Sequence, residues 1–171
     1  MTERVTRQRF LSEALITAFS VAGFFIILGF VIAFTPDITH RTNAFLNDLT
    51  TVKYNLGSTG TFNLIAPAHP SQHIGFFRAI SEFFLALGIL QVIFLVLRLG
   101  NRSPIRRTSE TLGNLVFWLG GAVIANTYLL EGTRNGWFEF WTGLILVLGI
   151  SLIVRFSVYL LAKYARRQSN N

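Results

Sequence analysis

The chain has no cysteine, which excludes disulfides, thiolate metal sites and cysteine nucleophiles together. Charge is scarce too. Only 13% of the 171 residues are Asp, Glu, Lys or Arg, where a soluble domain carries about a quarter. Lysine is nearly missing, with Lys53 and Lys163 alone beside thirteen arginines. Signature motifs are lacking as well: there is no phosphate-cradling Gly-rich loop, no H-E-x-x-H and no G-x-S-x-G nucleophile elbow. No pair of carboxylates lies within an apolar run, so the sequence offers no acid/base machine, and a non-enzymatic role is the leading expectation.

What fills the chain instead is apolar: 51% hydrophobic residues, 17 of them Phe. Ala14–Phe34 holds twenty-one residues without a charge, about 31 Å of helix at ~1.5 Å per residue and enough to cross a bilayer. The run is too long for the roughly 7–15-residue apolar region of a signal peptide, and no A-x-A site follows it. Further spans are expected over 72–97, 112–130 and 138–162, with the first at 12–34. The fold class expected is an all-α integral membrane protein of four transmembrane helices, a single domain over 1–171.

Arg98-Leu-Gly-Asn-Arg-Ser-Pro-Ile-Arg-Arg107 fixes the orientation. A loop with Arg98, Arg102, Arg106 and Arg107 between apolar runs anchors on the cytoplasmic face. That puts both termini inside, the plasma membrane as location, and the segment 35–71 outside. The net charge of +7 would suggest nucleic acid in a soluble protein, but its partition removes that reading. The inner side gathers eleven basic residues against Glu3, Glu13 and Glu110, for +8; the outer side has four basic against five acidic residues, for −1. The excess is a topogenic signal that also attracts anionic headgroups. Trp137, Phe138 and Trp141 form an outer aromatic belt, Tyr159 and Tyr164 an inner one, and Arg155 has a stem long enough to snorkel.

The outer segment opens on Thr35-Pro-Asp37, which reads as a helix start with Thr35 as N-cap and Pro36 at the first position. Ile38, Phe45, Leu49, Val52 and Leu56 continue it as an amphipathic stripe. Thr51–Leu56 and Thr61–Ala66 alternate polar and apolar residues around Gly57-Ser-Thr-Gly60. The compromise is an extracytoplasmic helix over 36–50 and a β-hairpin over 51–66. Ser71 is the expected cap of the second span.

Three constellations are candidates for chemistry. His40, His69 and His73 all fall outside and could hold zinc or copper with a carboxylate; otherwise no cofactor is implied. Glu82, in an otherwise apolar run, is expected either to ion-pair with Arg78 one turn earlier or to act as a relay. His73, Glu131 and Arg134 could join the same network. Gln91 and Asn126 could line a solute path, although single amides in spans usually bond between helices, as Asn114 also could. Small residues at Ala14, Ala18 and Ala22, and at Gly121 and Ala125, suit close helix packing. The leading functional expectation is a non-catalytic accessory or assembly subunit, or a self-associating scaffold, with the lipid bilayer and other membrane proteins as partners and a homo- or hetero-oligomer as its state. The alternatives are an oligomeric small-solute or ion transporter using Glu82, and a membrane metal-binding protein or enzyme.

Overall fold

The computed structural model describes residues 2–55, 61–101 and 103–168. They form five helices and one two-stranded sheet: α1 (Thr2–Phe34), α2 (Ile38–Asn47), β1 (Leu49–Asn55), β2 (Thr61–Pro67), a 3₁₀ turn (Pro70–His73), α3 (Ile74–Gly100), α4 (Ile105–Ile124) and α5 (Arg134–Gln168). A five-residue π segment, Ala125–Leu129, extends α4. Among the described residues, Ala14–Phe34, Pro70–Gly100, Ile105–Leu129 and Arg134–Tyr164 are helical stretches long and apolar enough to cross a membrane. The chain is thus mostly helical, with the sheet confined to one end.

Helix α3 is the centre of the bundle. Its buried side chains, Phe77, Ser81, Leu87, Gln91, Phe94 and Arg98, recur at helical spacing along its whole length. α4 packs on one side of it, and glycine sets the distance. A methyl at Gly121 would lie 2.4 Å from the Phe84 ring of α3, while one at the adjacent Gly120 would lie 2.6 Å from Val147 of α5. Two neighbouring glycines thus let α4 approach both partners at once. The matched pairs Leu119–Gly88, Phe84–Gly121, Ile124–Gly143 and Val147–Gly120 make α3, α4 and α5 successive antiparallel neighbours.

α1 packs mainly on α3, through Gly23 against Leu90 and Phe24 edge-on to Phe83 at 5.7 Å. Most of the surface of Ala14–Phe34 remains uncovered, including Ala14, Ala18 and Ala22. That ridge turns away from the chain's own bundle. The Gly121–Ala125 pair is instead buried within it.

The segment between α1 and α3 departs from expectation at its boundaries. Helix α2 begins at Ile38, not residue 36, because Asp37 adopts a left-handed conformation (φ 54°) that interrupts the turn after Pro36. It ends at Asn47, not residue 50, because residues 49–55 pair with 61–67. The hairpin is therefore longer at its base than 51–66, with Leu49 opposite Pro67 and Val52 opposite Leu64. The expected turn Gly57–Gly60 lies outside the described residues. Ser71 caps no helix: Pro70 opens the 3₁₀ turn and His73 precedes α3, without a side-chain cap. The α4–α5 turn is tight, with Gly132 at φ 63° packed against Ser71 and Ile74.

Candidate functional site

The most tightly built polar site lies where α2, the hairpin and α3 meet, and it centres on Asp48. After α2 the Asp48 N–H turns back to the carbonyls of Ala44 and Phe45, closing the helix. Its own carbonyl accepts from the Ala68 N–H at 2.9 Å, which continues the hairpin register by one pair beyond Leu49–Pro67. This places the carboxylate at the mouth of the hairpin. Oδ2 accepts from the His69 N–H at 2.8 Å, Oδ1 pairs with His69 Nδ1 at 2.8 Å, and Oδ2 pairs with His73 Nε2 at 2.9 Å. One carboxylate thus ties the end of β2 to the start of α3. Desolvation pushes the Asp48 carboxyl upward, but the hydrogen bonds from His69 and His73 outweigh it and hold the pKa at about 2.

His73 is buried, and its ring stands edge-on to Phe45, 5.5 Å between centroids. Phe45 in turn stacks on Phe76 and contacts Phe77 and Trp137. Trp137 of α5 donates its indole N–H to the Ile65 carbonyl of β2 at 3.0 Å. An isolated hairpin is marginal in water; here the Asp48 tie and this aromatic cluster fasten it to three helices.

His69 and His73 are therefore brought together, but on a carboxylate that the sequence had not singled out. His40 stands apart, across a cavity of about 250 Å³ lined also by Asp37, Arg41, Gln72 and His73. Among the described residues no three His, Asp or Glu side chains are grouped as metal ligands. Asp48 becomes a candidate only once the hairpin register is known, since extending it by one step past Leu49–Pro67 sets residue 48 beside 68 and 69.

The expected network of His73, Arg78, Glu82, Glu131 and Arg134 is not assembled. Arg78, Glu82, Glu131 and Arg134 are exposed, and among the described residues no ion pair joins any of them. Arg134 reaches the Ala68 carbonyl at 3.5 Å instead. Gln91 is buried and lines an apolar cleft of about 280 Å³ between α1, α3 and α4, with Ser20, Val21, Phe24, Leu87, Leu90 and Trp118. Neither Glu82 nor Asn126 lines that cleft; Asn126 is exposed on the π segment, and Asn114 is exposed on α4.

At the opposite end the basic loop is anchored internally. Arg98 is buried and donates to the Arg107 carbonyl and the Thr111 hydroxyl. Glu110 gathers Arg106 (3.3 Å), Arg107 (3.7 Å) and Arg155 (3.0 Å). Arg155 of α5 therefore crosses to Glu110 of α4. Arg102 is outside the described residues. Compared with protein-family models, curated proteins and solved structures, the chain matches none.

Proposed function

We propose that the chain is a small multi-pass membrane protein with both termini cytoplasmic, acting without catalysis as an accessory or assembly subunit of a larger membrane complex or as a self-associating scaffold in the plasma membrane. The observation that carries this reading is α1. Its stretch Ala14–Phe34 carries no charge, rests mainly on α3, and presents Ala14, Ala18 and Ala22 outward. Small residues at this spacing allow close helix approach, and lipid alone gains nothing from them. The polar clusters support the same reading, because Asp48 and Glu110 each join separate elements of the chain's own fold. The orientation rests on the arginine partition: the α3–α4 loop and the described ends of α1 and α5 share one end of the bundle.

The test is purification in mild detergent, followed by intact-mass measurement and elemental analysis of one sample. A defined hetero-complex supports the subunit form, and a homo-oligomer the scaffold form. A monodisperse monomer in native lipid would refute both. Because the chain has no cysteine, a single Cys at Ala18 reports self-association by oxidative cross-linking, and single Cys residues at Ser71 and Ser103 report sidedness by labelling. A second reading rests on Gln91, a buried amide facing a cleft: an oligomeric path for a small solute or ion. It requires flux through reconstituted protein.

A further inference from the structure

The loop end of the bundle carries a groove of about 520 Å³ between the start of α4 and α5, lined by Arg106, Ser109, Leu152, Arg155, Phe156 and Tyr159. Its two halves differ in chemistry. Leu152 and Phe156 are 55% and 62% exposed, an apolar wall on a helix apolar enough to cross a membrane. Arg106 and Arg155 supply the polar half. Both guanidinia converge on the same oxygen, Glu110 Oε1, at 3.3 and 3.0 Å, while Arg107 takes Oε2. Glu110 thereby holds two guanidinia together and neutralises only one of three positive charges. Each guanidinium carries about five N–H donors, many more together than one carboxylate accepts. Ser109 is fully buried, its hydroxyl donating to the Arg106 carbonyl, so its small side chain leaves the floor of the groove open. Tyr159, 37% exposed, closes the rim.

Paired guanidinia match a phosphate in shape and charge better than ammonium groups do, and a wall of Leu and Phe beside them has no use for a soluble anion. We propose that this groove binds one anionic phospholipid, its phosphodiester on Arg106 and Arg155 and an acyl chain along Leu152 and Phe156. The inference rests on the membrane reading above. It gives the basic end of the bundle a recognition role beyond orientation, because two arginines are pre-positioned by a carboxylate at the edge of the apolar surface.

The full-length chain in detergent is titrated with phosphatidylglycerol or phosphatidylcholine and read by native mass spectrometry. One phosphatidylglycerol is expected to be retained about tenfold better than phosphatidylcholine, with Arg106→Gln weakening it about fivefold, as for one basic residue at an anionic surface. Arg106 is the most exposed of the three partners, and its replacement leaves the Arg155–Glu110 tie in place. Phe156→Ala is a second variant that touches no ion pair, and a loss of about threefold is expected from the lost apolar wall. Arg78→Gln, at the other end, should change nothing. Equal retention of the two lipids would overturn the proposal, as would an equal loss in Arg78→Gln, or displacement of the lipid by equimolar inorganic phosphate. Insertion into phosphatidylcholine vesicles separates the two readings: failure to insert refutes the membrane reading, whereas insertion without phosphatidylglycerol preference refutes only the lipid site.

Discussion

Replacing Asp48 with Ala should free the hairpin from the helices. The carboxylate makes three hydrogen bonds, and burial decides what each contributes. His73 is only 6% exposed, so its lost bond to a charged group costs about 1.5–3 kcal/mol and leaves a buried ring nitrogen unpartnered. The His69 N–H adds about 1 kcal/mol. The His69 ring is 64% exposed, so its pair is worth a few tenths, roughly the value of a surface ion pair. The sum is about 3–4 kcal/mol, acting locally because the Ala68 N–H still reaches the backbone carbonyl of residue 48. At about 1.4 kcal/mol per tenfold, amides of 49–55 and 62–68 should exchange with solvent at least a hundredfold faster, on the order of the opening free energy lost. Hydrogen exchange with mass spectrometry in detergent measures this, with Glu131→Ala as the control. An Asp48→Ala hairpin no more labile than the control would refute the keystone role.

The same site sets an acid limit. Asp48 falls from its ordinary 3.8 to about 2 in the folded protein, so the open state binds the proton more readily. The stabilisation is complete above about pH 4 and is lost as pH falls toward 2; at about 1.36 kcal/mol per pH unit it is at most ~2.4 kcal/mol, and about 1–2 after solvent screening. Hairpin exchange, corrected for intrinsic rates, should accelerate across that window in wild type but not in Asp48→Asn. Gly136→Ala places a methyl 2.2 Å from the Tyr128 carbonyl oxygen; since backbone must shift, a loss of about 2–3 kcal/mol is expected in thermal unfolding, and a wild-type melting temperature would contradict the close approach. Glu110→Gln removes one carboxylate from three arginines that are all substantially exposed, so only about 1–2 kcal/mol should be lost, shrinking at high salt. Glu82→Gln should leave assembly and melting unchanged, because Glu82 is exposed and makes no ion pair among the described residues; abolished flux in that variant, with the fold intact, would move the weight to transport.

What could be read in the sequence was whatever one segment carries alone. An uncharged run such as Ala14–Phe34 is long and apolar whatever it packs against, and the alternation around residues 51–66 belongs to two short strands. The boundaries were less legible because neighbours set them. Asp37 in a left-handed conformation delayed α2, and pairing with β2 took Leu49 and Thr50 from its end. The candidate site was only half legible: His69 and His73 stood out by type, but a charge that lies 21 residues from one and 25 from the other had no local sign of meeting them.

The tertiary structure alone decided which polar groups are spent on the fold and which remain outward. Helical spacing put Glu82 one turn from Arg78, yet both side chains are exposed and form no ion pair among the described residues, while Arg155 finds Glu110 across 45 residues. Spacing fixes proximity along one helix only. The choice of partner follows from how closely α4 can approach α3 and α5, and that distance is set by glycines whose neighbours are remote in the chain. By itself the sequence determined four apolar helices and the segments in which arginine accumulates, because hydrophobicity and charge act residue by residue. The keystone at Asp48 and the arginine pair on Glu110 arise only from folding, because each needs side chains from separate elements within hydrogen-bond distance.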